Sequence, residues 1–120
     1  MNNSISYRKD RIERLVHKLI SELFTNYMFD HALSTLTITK VKITSDLKIA
    51  HCYFIPSKRS IVSKEFLLNI LNKAKGEVRQ YVNKYVKLKY SPQIKFHYDD
   101  GIDNANHIEQ LLRQINYTTI

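Results

Sequence analysis

Cysteine, proline and glycine are all scarce in this chain, and tryptophan is missing. Cys52 stands alone, so no internal disulfide can form and no thiolate cluster can hold a metal, which fits a reducing compartment. Two prolines and two glycines among 120 residues leave little room for low-complexity linkers. The glycines lie 25 positions apart, which excludes a Walker loop. No apolar run approaches the roughly 18 to 20 residues of a membrane span, and Met1–Asp10 lacks the apolar stretch of a secretory signal. These absences predict one cytosolic domain over residues 1–120, with no membrane partner.

Acidic residues are also few. Eleven Asp and Glu against nineteen Lys and Arg give a net charge of +8 and a pI near 9.6. Such a surplus on a small surface repels itself unless a polyanion is usually nearby, and nucleic acid is the first candidate.

Hydrophobic spacing supplies the elements. Ile12, Leu15, Val16, Leu19, Ile20, Leu23 and Phe24 follow the i, i+3, i+4 rule and predict a helix from Tyr7 to about Thr25. Arg8, Arg11, Arg14 and Lys18 share its other face. A loop follows from about Asn26 to Ser34. Thr35–Thr44 is rich in β-branched residues, but its alternation slips near Lys40, where a β-bulge would return Leu36, Ile38, Val41 and Ile43 to one face. Ser45 and Asp46 predict a turn, and Leu47–Ile55 a second strand, ended by Pro56, with Ala50, Cys52 and Phe54 in one phase and Ile49, His51 and Tyr53 in the other.

Ser60 or Ser63 can cap a helix carrying Phe66, Leu67, Ile70, Leu71 and Ala74. Gly76 predicts a kink or break before a further helix with Val78, Tyr81, Val82, Tyr85 and Val86 on its apolar face. Gln93–Tyr98 alternates as a third strand, Ile94, Phe96 and Tyr98 against Lys95 and His97. A turn over Asp99–Gly101 leads to a last helix, capped by Asp103, with Ile108, Leu111, Leu112 and Ile115 on its apolar face. The expected class is α+β, in the order α-β-β-α-kink-α-β with an extra C-terminal helix, a three-stranded sheet carrying its helices on one face.

Two stretches carry a closer likeness. Ser45-Asp46-Leu47-Lys48-Ile49-Ala50-His51-Cys52-Tyr53-Phe54 is one, and Ala74-Lys75-Gly76-Glu77-Val78-Arg79, followed by Leu88–Phe96 with Pro92 leading into the last strand, is the other. In order and spacing, from about Tyr7 to Leu112, they resemble the ribosome-binding factor A family, whose fold is a type II KH-like domain. The resemblance implies a non-catalytic factor that binds the free 30S subunit and its 16S rRNA, assists late maturation including 16S rRNA processing, and matters in the cold. Two features depart from the family pattern. His31 and Ala32 stand where the family often has Pro and Arg after an Asp, and the charged C-terminal tail of some relatives is missing.

A KH domain grips single-stranded RNA with a Gly-x-x-Gly loop, and none exists here. Ala74, Lys75 and Gly76 form the expected kink, and Gly76 either lets the helices bend or lets RNA approach the backbone. Lys73, Lys75, Arg79, Lys84, Lys87 and Lys89 crowd into 17 residues. With Arg8, Lys9, Arg11, Arg14 and Lys18 they form the candidate RNA-binding set, suited to phosphates and therefore to RNA shape more than sequence. Tyr53 is a candidate for base stacking, whereas Tyr81 and Tyr85 are expected in the core.

For an enzyme the residues are thin. Cys52 alternates with core residues, and His17, His31, His51, His97 and His107 lack zinc-site spacing. His17, one turn after Glu13, predicts a weak surface pair. Asp99, Asp100 and Asp103 around Gly101 lack the other ligands of a calcium loop. No cofactor, metal or small-molecule substrate is expected, and the chain should be a monomer. The competing class is a basic protein-interaction module whose β-edge around Thr35–Thr39 pairs with a partner.

Overall fold

A computed structural model of the chain describes residues 3–26, 31–58 and 62–101, with side chains from Tyr7 onward. The elements are α1 (Asn3–Asn26), a 3-10 turn (His31–Thr35), β1 (Leu36–Ile43), β2 (Ile49–Pro56), α2 (Lys64–Tyr85) and β3 (Gln93–Tyr98). The sheet order is β1-β2-β3, with β1 antiparallel to β2 and β2 parallel to β3, so α2 serves as the crossover. The expected last helix, from Asp103 to Ile115, lies outside the described residues, as does Ser60.

The register slips between Ile38 and Lys40, as the broken alternation requires. Leu36, Ile38, Val41 and Ile43 are consequently all buried, against Ala50, Cys52 and Phe54 of β2 and Ile94 and Phe96 of β3. Both helices cover that same side: α1 contributes Ile12, Val16, Leu19, Ile20, Leu23 and Phe24, and α2 Leu67, Leu71, Ala74, Val78 and Val82. Cys52 is fully buried, and burial pushes its thiol up to about 12, so it is a small core residue and not a nucleophile.

Gly76 does not break the chain into two helices. A single α-helix runs from Lys64 to Tyr85, with Ser63 capping it by accepting from the Phe66 N–H at 3.1 Å. One glycine costs a helix only about 1 kcal/mol, less than the unbroken stripe of buried residues on either side contributes. The same helix leaves Tyr85 and Phe66 exposed, at 56% and 52%. Tyr85 packs on Tyr81 with ring centroids 5.2 Å apart, so the expected core role falls to Tyr81 alone.

Glu13 and His17 are not a surface pair. Glu13 is buried, and its carboxylate accepts from the Ile43 N–H at 2.7 Å. His17 donates from Nε2 to the Ile38 carbonyl at 2.6 Å. Both partners are outward-facing backbone groups of the edge strand β1, so α1 occupies hydrogen-bonding positions that another strand would need.

Candidate nucleic-acid interface

On the opposite edge of the sheet the packing leaves a gap. α2 and β3 enclose a groove of about 510 Å³, with Lys75, Gly76 and Arg79 on one wall and Gln93, Ile94 and Lys95 on the other. Among the described residues its lining includes no carboxylate. A methyl group at Gly76 would meet no neighbouring atom within 4 Å. Packing therefore does not demand glycine here, and the missing side chain leaves bare helix backbone on the groove wall.

Arg79 has a second task. Its Nε and Nη2 donate to the Ser91 hydroxyl and carbonyl at 2.8 and 2.7 Å, and Asn83 Nδ2 donates to the same hydroxyl at 2.6 Å. These bonds tie α2 to the residues leading into β3 and hold the groove at a fixed width. The guanidinium remains exposed and charged, so it can face a phosphate while it positions the backbone.

The structure divides the sequence-predicted cations. At about 100° per residue, Lys75 and Arg79 lie on one flank of α2, and Lys73 and Lys84 lie roughly 150° further round. Lys87 and Lys89 are exposed in the connection to β3, where the Lys89 ammonium sits 5.5 Å from the Tyr90 ring. On α1, Arg8, Arg11, Arg14 and Lys18 are exposed, with Arg11 over the Tyr7 ring, whereas Lys9 is half-buried. Arg14 lines a different groove, beside β1, together with Asp10, Glu13, His17, Lys40 and Lys42. Lys95, absent from the predicted set, completes the α2–β3 groove. The signal available was its place on the polar phase of β3, which says that it is exposed but not what it faces.

Tyr53 is not the open stacking ring that its strand phase suggests. It is 2% exposed, packed on His97 with centroids 5.1 Å apart and with the Lys40 ammonium 5.9 Å from its ring. Burial, and then the nearby Asp99 and Asp100 charges, raise its phenol above the ordinary range. Among the described residues, no group of three or more His, Cys, Asp or Glu is placed to hold a metal ion, and no helix is long and apolar enough to cross a membrane.

Known proteins share this architecture. A family model described as ribosome-binding factor A matches residues 8–112. The chain is similar to the ribosome-binding factor A of Rickettsia bellii, 41% identical over 114 residues that cover 92% of each chain. It is also similar to that of Rickettsia felis, 37% identical over 113 residues, covering 92% of this chain and 93% of the relative. Its fold resembles the crystal structure of ribosome-binding factor A from Thermus thermophilus, with a TM-score of 0.66 at 19% identity, covering 75% of this chain and 94% of that one. Coordinates of the Thermus thermophilus factor fitted into a cryo-EM map of a 30S complex superpose with a TM-score of 0.56 at 17% identity, covering 79% and 96%. With a family match over most of its length and relatives this similar end to end, the chain belongs to the ribosome-binding factor A family.

Proposed function

We propose that this protein is a non-catalytic, cytoplasmic RNA-binding factor that associates with the free 30S subunit and assists its late maturation, including 16S rRNA processing. The observation that carries the reading is the α2–β3 groove, in which Lys75, Arg79 and Lys95 surround exposed helix backbone at Gly76 without a lining carboxylate. Cations supply phosphate affinity, and bare backbone permits a close approach that a side chain would block. The Thermus thermophilus relative placed in a 30S complex supports the same partner.

The contacts divide by location. Lys75, Arg79 and Lys95 grip phosphates in the groove, Lys87 and Lys89 extend the cationic surface beyond its end, and Arg8, Arg11, Arg14 and Lys18 offer a separate face on α1. Lys73 and Lys84, on the far flank of α2, contribute to long-range attraction. Binding one conformation of the rRNA more tightly than its alternatives is enough to favour it, and no bond needs to be made or broken.

Cosedimentation of the purified protein with isolated small subunits, with large subunits as control and across a salt series, tests the reading. Salt-sensitive binding to small subunits alone is expected. Equal binding to both subunits would reduce the groove to general RNA attraction. No binding at low salt would favour the protein-interaction module.

A further inference from the structure

The C-terminal end of α2 leaves two aromatic rings in solvent. Tyr85, in the last turn, is 56% exposed, and Tyr90, in the connection to β3, is 61% exposed. Tyr85 is held from one side, where Tyr81 packs on it with ring centroids 5.2 Å apart and planes tilted by 57°. Tyr90 is placed through the chain, because its neighbour Ser91 takes three hydrogen bonds from Arg79 and Asn83.

Charge indicates what these rings face. From Val78 to Tyr98 the sequence contains no Asp or Glu, while Arg79, Lys84, Lys87, Lys89 and Lys95 all fall in that span. Lys84, Lys87 and Lys89, beside or between the two rings in sequence, are exposed, and the Lys89 ammonium lies 5.5 Å from the centre of the Tyr90 ring. The negative end of the helix dipole offsets only about half a unit charge, so this end of α2 stays strongly cationic.

We propose that Tyr85 and Tyr90 are stacking platforms for unpaired bases of an RNA strand that leaves the α2–β3 groove and rounds the end of α2, with its phosphates on Lys87 and Lys89. The inference rests on the RNA-binding reading above and adds two base-contacting residues and a single-stranded class of ligand.

Three features favour a single strand of RNA. Rings and cations are interleaved here, as bases and phosphates are in an unpaired strand, whereas a duplex hides its base faces and can use the lysines alone. The chain between the rings spans at most roughly 17 Å, a distance that a few nucleotides of extended strand bridge. The path is also continuous with the groove. Ser91, fixed by Arg79 of the groove wall, sets Tyr90 at the groove's end, and at about 100° per residue Tyr85 lies roughly 120° round α2 from Arg79. Tyr81 already restrains the Tyr85 ring, so little freedom is lost when a base stacks on it.

The test uses the full chain and fluorescence anisotropy with two probes, an oligoadenylate of about ten nucleotides and an RNA duplex of similar length. Tyr85→Ala and Tyr90→Ala, singly and together, are compared with the double Tyr→Phe variant and with the groove variant Lys75→Glu. The chain has no tryptophan, so Tyr85→Trp and Tyr90→Trp each add one fluorophore at a proposed platform. Because Tyr85 also packs on Tyr81, Tyr90→Ala and the two tryptophan reporters keep the test decisive where Tyr85→Ala unsettles the helix end.

The double alanine variant should raise Kd for the single strand about 30-fold and for the duplex less than about twofold, and the double phenylalanine variant should bind as the parent does. Each tryptophan should be quenched by the single strand. Unchanged single-strand affinity in the alanine variants and unquenched tryptophans, with both probes weakened by Lys75→Glu, overturn the platforms, leave the groove reading intact and make the two rings a protein-facing surface. Equal losses for strand and duplex overturn base stacking. Indifference of all variants, Lys75→Glu included, removes both readings.

Discussion

The two edges of the sheet begin from the same ingredients, an amphipathic helix laid beside an edge strand, and end as opposites. Along β1, α1 reaches down with Glu13 and His17 and takes up the Ile43 N–H and the Ile38 carbonyl. That edge is closed, and its groove mixes Asp10 and Glu13 with Arg14, Lys40 and Lys42. Along β3, α2 presents Lys75, Gly76 and Arg79, and the groove stays open, with cations on both walls. Carboxylates make much of the difference: on the β1 side Glu13 satisfies backbone and, with Asp10, tempers local charge, and on the β3 side Gly76 and Lys75 leave space and charge unanswered. The open basic edge is therefore the one fitted to a polyanion, and the closed edge is poorly suited to recruiting another strand.

The largest expected effect falls on the open edge. Replacing Lys75 and Lys95 together by Glu should weaken RNA binding about 100-fold and flatten the salt dependence by about two phosphate contacts. The same reversal at Lys73 and Lys84, on the far flank of α2, should cost much less. Anisotropy titrations at several salt concentrations check the contrast, and equal losses would break the distinction between the flanks.

Next in size is the closed edge. Glu13→Ala leaves the Ile43 N–H without its buried acceptor and should lower unfolding free energy by about 2 kcal/mol in urea denaturation, while Glu13→Gln, which keeps an acceptor oxygen, recovers most of it. RNA affinity should hardly change in either variant. A loss of affinity from Glu13→Gln would show that the two edges are not independent.

Gly76→Ala sharpens the comparison in a different way. With open space around the position, alanine should stabilise the helix by about 0.5 to 1 kcal/mol. Affinity for RNA should nevertheless fall, because the methyl group stands on the groove wall. Gained stability with full affinity would mean that the ligand does not approach the backbone there.

The smallest effect is at the bulge. The Thr39 hydroxyl donates to Asp99 at 2.6 Å, and this bond, followed by that from the Gly101 N–H, holds the Asp99 carboxyl below its usual value. A group depressed on folding stabilises above its unfolded pKa and loses that contribution as pH falls through the folded one. Thr39→Val should therefore cost slightly at neutral pH, and the difference from the parent should fade below about pH 4, as thermal melts across pH would show.

Much of the architecture was legible in the sequence because it depends on local spacing. The slip of alternation at Lys40 locates the bulge, Ser63 is one of the two serines placed to cap α2, and the phase of Ala50, Cys52 and Phe54 identifies the inner face of β2. The break expected at Gly76 is absent because glycine's intrinsic helix penalty is small beside the continuous buried stripe of α2, so Gly76 neither breaks nor ends the helix. Tyr85 lies outside the core although it shares the apolar phase of α2, because a helical phase fixes direction and not what lies there, and this ring points past the packed core. The Glu13–His17 spacing fitted a surface pair equally well, and nothing in it revealed a strand edge alongside.

By itself the sequence determined the element types, the inward phases, the bulge and a cationic surplus concentrated in α1 and α2, since each follows from residue chemistry repeated at a fixed period. The tertiary structure decided which cations share a site. By setting β3 parallel beside β2 with α2 across it, the fold brings Lys95 to Lys75 and Arg79 and turns Lys73 and Lys84 away. Such meetings depend on strand order and register, which long-range packing selects and no local pattern specifies.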